Sequence, residues 1–392
     1  MEPNHWNVRH LRGLLLAASL SLGAVQTPAP SSDPDLPTAI SQLGNLDYAT
    51  RMRASRVVRR TSPAVAVPAL LQAIEEHDDG YVRYRALVLL SGFNQPQIGD
   101  VMRQRVYDPN DRLREVAYAW FEEHPDVAVL PAFVEALDRE TSEFVRPALI
   151  RALAALGREP KAQQILLREV NRGQDFFRSG VIEALGDHKA VWAFDALAAI
   201  AQLDGPLQDD AALAIGKLGD RRGLAILASL QRSAPRTAQP TVAAAICLLG
   251  SNCGAHRGFL ARTLTFAEDT SGFQELLRGA AAGLGAIAAT GDLDAAQALL
   301  EVGIPSQDPA RAPIALAWAT VAVRNPSFAL AALEKTPDRP GALSLLAEGF
   351  DMLEEDYAEE QFFAAVRKAY WAAPAGSGAR GVAEDVIGKL EF

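Results

Sequence analysis

The sequence predicts an all-α protein built as a solenoid of stacked helix pairs. Arginines recur along the chain at intervals of 31 or 32 residues, and a column of apolar residues recurs at nearly the same interval. Apolar residues also recur at three and four positions, which is typical of a helical face, and no comparable run alternates with period two. A two-helix unit of about 32 residues cannot bury its apolar faces alone, so neighbouring units must stack.

The beginning of the chain has the pattern of an export signal. Arg9 and Arg12 precede an apolar stretch over residues 13–25 that is too short to span a bilayer comfortably. The sequence therefore predicts a signal peptide over residues 1–26 and a Pro/Ser linker over residues 27–39. We expect an exported protein, periplasmic or secreted. An uncleaved membrane anchor is the alternative.

The repeated helices can be aligned on one apolar column, with Ala or Gly at most positions beside it. A second helix accompanies each column helix; such helices begin near Pro68 and Pro131, two periods apart. The Ala and Gly positions let helix axes approach closely, while the larger side chains fill the space between helices. The column consists of Val58, Leu90, Phe121, Leu153, Leu185, Ile215, Leu249 and Leu284.

An arginine row runs in phase with this column, and an acid stands three or four residues before each arginine. An acid ahead of a helix can cap its free N–H groups, and the arginine can reach an acid of its own or the adjacent unit. This favours a structural Asp/Arg ladder, and a row of ligand-binding cations is the alternative. The pairs are Asp47 and Arg51, Asp79 and Arg83, Asp111 and Arg114, Glu143 and Arg146, and Asp175 and Arg178.

The motif acid–x–x–Val–Arg–x–x–Ala–x–x–Ala–Leu–Gly resembles bacterial HEAT repeats of the short kind found in phycobilin lyases. The resemblance covers residues 40–325, is sharpest over residues 47–219, and implies a right-handed α-solenoid of HEAT-like helix pairs. It also implies that the second helix of each unit lines the concave side. Residues 326–392 are predicted to form degenerate helical repeats and a C-terminal cap.

Cys247 and Cys253 are the only cysteines, so neither a disulfide framework nor a cysteine-based zinc cluster is expected. Their spacing allows a local disulfide in an exported chain, with Cys247 ending one helix and Cys253 in the following loop. Two separate thiols are the alternative.

Two charge runs stand near the ends of the array. Residues 51–60 contain five arginines, and residues 351–360 contain six acids. Both runs could be solvated faces of terminal repeats, since solenoid ends need polar caps. Alternatively, Arg56, Arg59 and Arg60 form a docking patch for an acidic partner or an anionic envelope component. The aromatic tail that follows is expected to cap the last repeat or, less simply, to dock a partner.

Catalytic, metal-binding and cofactor-binding motifs are not apparent. None of the six histidines precedes a glutamate, unlike the His-Glu pairs of iron-binding HEAT-like enzymes. The Gly283-Leu284-Gly285 segment imitates a dinucleotide fingerprint but lies inside a helical segment in phase with the repeat. The chain of 392 residues carries a net charge of −10, which argues against general nucleic-acid binding.

The sequence therefore predicts a non-catalytic protein–protein interaction scaffold of the cell envelope, with no cofactor. An unidentified protein partner is expected along the concave face, whose C-terminal half is predicted to be apolar. No integral membrane segment is expected after signal cleavage. The alternative is a HEAT-repeat-type enzyme or metal-binding protein whose site residues are too scattered to recognise.

Overall fold

The computed structural model describes residues 33–392. The predicted signal peptide over residues 1–26 and the first part of the predicted linker lie outside this range. Within it the protein is all-α, with 22 α-helices and no strand, arranged as an α-solenoid. Among these residues, no helix combines the length and the apolar character needed to cross a membrane.

The helices alternate between an outer row and an inner row after a short first helix, α1 (Leu36–Gln42). The outer row consists of α3 (Pro63–Glu76), α5 (Ile98–Arg105), α7 (Leu130–Leu137), α9 (Pro160–Glu169), α11 (Phe194–Ala201), α13 (Gly223–Ser233), α15 (Cys253–Asp269), α17 (Leu293–Gly303) and α19 (Pro326–Lys335). The inner row consists of α2 (Tyr48–Arg60), α4 (Gly80–Ser91), α6 (Asp111–Glu123), α8 (Val145–Ala155), α10 (Asp175–Asp187), α12 (Gln208–Leu218), α14 (Gln239–Leu248), α16 (Gln274–Ala289), α18 (Arg311–Arg324) and α20 (Arg339–Leu353). The chain ends with α21 (Asp356–Ala372) and α22 (Gly378–Leu390).

Local sequence explains several helix starts. The side chains of Asp47 and Asp79 accept hydrogen bonds from backbone N–H groups in the first turns of α2 and α4. Pro63 and Pro160 occupy the first turns of α3 and α9, where no intrahelical N–H bond is lost. The predicted helix start at Pro68 is wrong: α3 begins five residues earlier, and Pro68 lies inside it.

The inner row is formed by the helices that begin with the arginines. Consecutive inner helices pack on each other along the array, and side chains of α6, α10 and α18 contact one another across more than one unit. The expectation that the other helix of each pair lines the concave side is therefore wrong. The Ala- and Gly-rich helices lie inside because the inner side of a curved array requires the closer approach of helix axes.

Every residue of the predicted apolar column is buried. The buried residues form two clusters, one of residues from Ala39 to Leu249 and one of residues from Ala243 to Phe392. Tyr357 of α21 is the exception to this order, since it joins the first cluster although it belongs to the C-terminal part of the chain. Thus α21 packs against α18, α19 and α22 and also against α4 and α6, and it brings the two ends of the array together.

Candidate functional site: the inner face and its closure

Four of the five arginines in the predicted row bind backbone carbonyls at or just after the end of the preceding helix. Arg146 donates to the carbonyl oxygens of Leu137 and Glu140 at the end of α7, and Arg178 donates to the carbonyl of Val170 after α9. Arg51 and Arg114 contact equivalent carbonyls in the loops before their own helices. These guanidinium groups satisfy carbonyls that a helix end leaves without an intrahelical partner, which is a structural task.

The acids of the row do not share one role. Asp47 and Asp79 cap their helices, whereas Asp175 pairs with Arg178 of its own unit at 3.0 Å. Asp111 is the first residue of α6, which is capped by Asn110, and Glu143 lies outside α8, whose capping position is held by Phe144.

The acids that connect neighbouring units were missed by the sequence analysis. Arg114 pairs with Glu140, and Arg146 pairs with Glu169, both at 2.8 Å. Each acid belongs to the following outer segment, 26 or 23 residues after its arginine. Arg83 completes the row without such a pair: its Nε is buried and has no hydrogen-bond partner among residues 33–392. The acids ahead of the arginines repeat with the period of the units. Glu140 and Glu169 repeat less regularly, so periodicity alone does not single them out.

The three arginines of the predicted docking patch differ in their pairing and in their exposure to solvent. Arg56 pairs with Glu391 at 2.9 Å, and Arg59 pairs with Glu360 at 2.8 Å. The side chains of Arg59 and Glu360 are 3% and 1% exposed, so Arg59 is not available on the surface as a docking cation. Arg60 is exposed. The acidic group that meets this basic run belongs to the protein itself.

The fit of Glu360 depends on Gly92, the residue after α4. A Cβ atom at this position would lie 2.4 Å from the Glu360 Oε1 atom, closer than real contacts allow. Burial lowers the pKa of Arg59, and the neighbouring Glu360 carboxylate opposes this effect. The Arg59 guanidinium also lies over the Phe363 ring, 4.9 Å from its centroid.

The pair of Arg59 and Glu360 joins α21 to the start of the array, and we call this joining of the two ends the closure. Further contacts of α21 with α4 and α6 add to it. The Asp356 carboxylate pairs with Arg85 and accepts a hydrogen bond from the Tyr84 hydroxyl, each at 2.5 Å. The Tyr357 hydroxyl donates to Glu123 at 3.2 Å. Burial raises the pKa of Asp356, but Arg85 and the two hydrogen bonds outweigh it, so the pKa lies below its usual value. The expectation that the tail caps the last repeat describes only one side of α21.

Two other carboxyl groups near the closure have strongly raised pKa values. Burial, assisted by the nearby Asp356 charge, raises the pKa of Glu359 to about 8. Burial also raises the pKa of Glu115, on α6, to about 7. Both groups therefore hold a proton in part near neutral pH.

A second set of polar contacts joins inner helices farther along. Glu122 binds Arg151 at 3.0 Å and His188 at 3.2 Å, and Lys217 pairs with Asp187 at 2.6 Å. Arg324 of α18 reaches Asp187 at 2.9 Å across the array. Glu122 is separated from Arg151 and His188, and Asp187 from Lys217, by about one unit or two, which the periodic spacing of acids and bases could have revealed. The periodic spacing does not reveal the pair of Arg324 and Asp187, which are about four units apart.

The remaining predicted features are local. Cys247 and Cys253 are joined as a disulfide between α14 and α15, and Cys253 opens α15, not the loop before it. Gly283 lies inside α16 against Ala244 of α14, as close helix packing requires. Within residues 33–392, no group of three or more His, Cys, Asp or Glu side chains is arranged to hold a metal ion.

Part of the chain matches a known protein family. Residues 99–186 match the family model of HEAT repeats. No curated protein sequence matches the chain.

Several solved structures are similar to the chain. The complex of CpcE and CpcF of phycocyanin lyase from Nostoc sp. PCC7120 is 20% identical over 66% of this chain and 96% of that chain, with a TM-score of 0.40. Human deoxyhypusine hydroxylase in complex with glycerol is 19% identical over 55% and 84%, with a TM-score of 0.28. Kap121p bound to Nup53p is 13% identical over 92% and 48%, with a TM-score of 0.42. The chain is an α-solenoid of helix pairs, and residues 99–186 of it match the family model of HEAT repeats.

Proposed function

We propose that the protein is a non-catalytic protein–protein interaction scaffold of the cell envelope, exported to the periplasm or secreted. Its partner is a protein that lies along the inner face of the solenoid. The observation that carries the proposal is the inner face itself, where acids and bases of successive helices alternate over several units. An extended charged surface of this kind recognises a macromolecule by broad electrostatic complementarity.

The inner face offers a side chain on which the proposal can be tested. Glu183 of α10 lies on this face with a side chain that is 60% exposed, and its closest cation, Arg324, is 4.0 Å away. Glu135 of the outer helix α7 is 64% exposed and pairs with Arg139 in a similar way. The two glutamates are similarly exposed and each has one arginine nearby, but they lie on opposite faces of the solenoid, so Glu135 is a control for Glu183.

The test is affinity capture of the tagged mature chain from its own envelope fraction, with stoichiometry measured by mass spectrometry. We expect one near-stoichiometric protein, whose capture falls about tenfold with Glu183→Lys and is unchanged with Glu135→Lys. Capture that both variants reduce equally, or the absence of any protein partner, contradicts the proposal.

A repeat-type enzyme or metal-binding protein is the second candidate, and it is favoured by one observation. Glu359 lines a cleft beside α2 and has a raised pKa, and perturbed carboxyl groups in a cleft are common at catalytic sites. Metal analysis of the purified chain separates the two functions. Stoichiometric metal that is lost with Glu359→Gln favours the second candidate over the scaffold.

A further inference from the structure

Helix α21 occupies a groove formed by α2, α4 and α6. One stripe of α21 faces this groove: Asp356, Tyr357, Glu360 and Gln361 contact Arg85, Glu123, Arg59 and Ser91. The stripe has helical spacing, with two carboxylates one turn apart and a tyrosine beside the first. The groove thus binds a helix through a defined polar pattern.

The two faces of α21 are held by different forces. Phe362, Phe363 and Val366 are buried in the second core, together with residues of the C-terminal helices. On the groove side, Tyr357 is the one residue of α21 that belongs to the first core. The contacts of α21 with the groove are therefore mostly ion pairs and hydrogen bonds. A buried ion pair gains little over the hydration that its two charges lose, so such contacts can be exchanged for equivalent ones.

Open space on both sides of α21 shows that the helix does not fill the groove. A cleft of about 840 Å³ lies between α2 and α4 on one side and α20 to α22 on the other. A second cleft, of about 730 Å³, lies between α6 and α21, and its wall includes Trp120 stacked on His124. The first cleft contains the buried Arg59, whose Nη1 atom has no hydrogen-bond partner in the described part of the chain. A larger or differently seated helix could use this donor.

We infer that the groove of α2, α4 and α6 is a docking site for an acidic helix of a partner protein, with two carboxylates one turn apart and a tyrosine beside the first, and that α21 is its resident occupant. The charge of the groove selects this chemistry, because Arg56, Arg59 and Arg85 all meet carboxylates there. The inference rests on the proposed scaffold function and adds its regulation, since α21 must leave before the partner helix can bind.

Because α21 is covalently linked to the rest of the chain, it competes for the groove more effectively than a separate partner helix. A segment linked to its site acts at an effective concentration of order millimolar, so a free helix with the same contacts competes poorly. Loss of the contact that Glu360 of α21 makes with the groove should therefore expose the groove to a free helix. Glu360 is the suitable position, because its substitution leaves every groove residue unchanged.

The probe is a fluorescent peptide of residues 354–373, added to the full chain, with binding measured by anisotropy. We expect the Glu360→Lys chain to bind this peptide about tenfold or more tightly than the unaltered chain. A second change, Gly92→Ala, should abolish this binding, because its Cβ atom takes the place of the peptide's glutamate. Gly180→Ala is the matched control, since nothing lies within 4 Å of its added Cβ. A scrambled peptide of equal composition should not bind.

Closure itself has an independent readout. Arg56→Cys with Glu391→Cys places two thiols where the native side chains are in contact, so a short bismaleimide should join them in the closed chain and not after Glu360→Lys. The thermal melt shows whether the variant is folded, and Tyr357→Ala replaces it as the opening change if it is not.

A folded, opened chain that ignores the peptide, or that binds the scrambled peptide equally, overturns the inference. The scaffold proposal fails by a different result, namely the absence of any captured envelope protein. The outcomes of the two experiments are therefore separable.

Discussion

The N-terminal units, up to α10, and the C-terminal units, from α12 to α20, have the same helix arrangement but differ in how neighbouring units are joined. In the N-terminal units, arginines at the start of inner helices bind carbonyls at or after the end of the preceding outer helix and, at Arg114 and Arg146, an acid of the next unit. In the C-terminal units, inner helices approach through small residues, as at Gly216 against Ala245 and Gly349 against Ala315. One geometry can thus be specified by two kinds of sequence.

The HEAT family model matches units that are joined by arginine contacts, although the same helix arrangement continues beyond the matched residues. It covers residues 99–186, which include the arginine-bearing starts of α6, α8 and α10. Helix pairs of the same arrangement continue as far as α20. Arg311, at the start of α18, repeats the N-terminal pattern, because it binds carbonyls at the end of α17 and pairs with Glu348. The arginine contact is therefore an option for any unit and not a requirement.

The largest expected effect comes from the core that both regions share. Leu185 of the apolar column is fully buried, so Leu185→Asp places an unpaired carboxylate in the core and should cost about 4 kcal/mol or more. Arg178→Ala removes a partly exposed contact and should cost about 1 kcal/mol. Thermal and urea melts of both variants check this. Equal losses would mean that the ladder, and not the core, determines the stability of the N-terminal units.

The next effect tests close packing in the C-terminal units. A Cβ atom at Gly349 would lie 2.2 Å from the carbonyl oxygen of Ala315, so Gly349→Ala should force the two helices apart and cost about 1–3 kcal/mol. Gly180→Ala, on an open face of α10, should instead stabilise by about 0.5–1 kcal/mol through helix propensity. Urea unfolding measures both. A stable Gly349→Ala protein would show that small residues are not what joins these units.

A smaller effect is expected from the ladder between N-terminal units. A double-mutant cycle of Arg114→Ala and Glu140→Ala should give a coupling of about 1 kcal/mol, because Glu140 is nearly buried. The same cycle on the exposed pair of Arg139 and Glu135 should give about 0.3 kcal/mol. Similar coupling energies for the two pairs would contradict a special role of the ladder.

A separate effect is the pH dependence of the closure between the two regions. Burial raises the pKa of Glu359 to about 8, above its usual value of 4.5, and Asp356, Arg85, Arg59 and Asp351 also act on it. A raised pKa means that the folded protein holds the proton more tightly than the unfolded chain. The resulting stability is complete below about pH 4.5 and is lost as the pH rises toward about 8.

This loss can be followed as the melting temperature between about pH 5 and pH 9, where a decline is expected. Glu359→Gln removes the titrating group and should flatten the upper part of the profile. An identical decline in the variant would assign the pH dependence to other groups, of which Glu115, with a pKa of about 7, is the first to examine.

The sequence contains enough information for the fold but not for the closure. The period of the arginines and of the column from Val58 to Leu284 predicts stacked helix pairs, because periodicity reflects contacts between neighbouring units. The pairing of Arg59 with Glu360 joins residues 301 positions apart. No periodic pattern reports such a contact, since it depends on the accumulated curvature of the whole array. The two charge runs are visible in the sequence, but each can be explained alone as a solvated end.

Closure also gives the number of units a meaning that it lacks in an open array. An open solenoid can gain or lose a unit by duplication or deletion, because each unit contacts only its neighbours. Here the last helices must arrive at α2, α4 and α6 in the correct register for Glu360 to reach the space beside Gly92. One unit more or less would carry α21 past that position. The repeat number is thus fixed by geometry, and variation among descendants of this chain should fall in outer loops and not in the count of repeats.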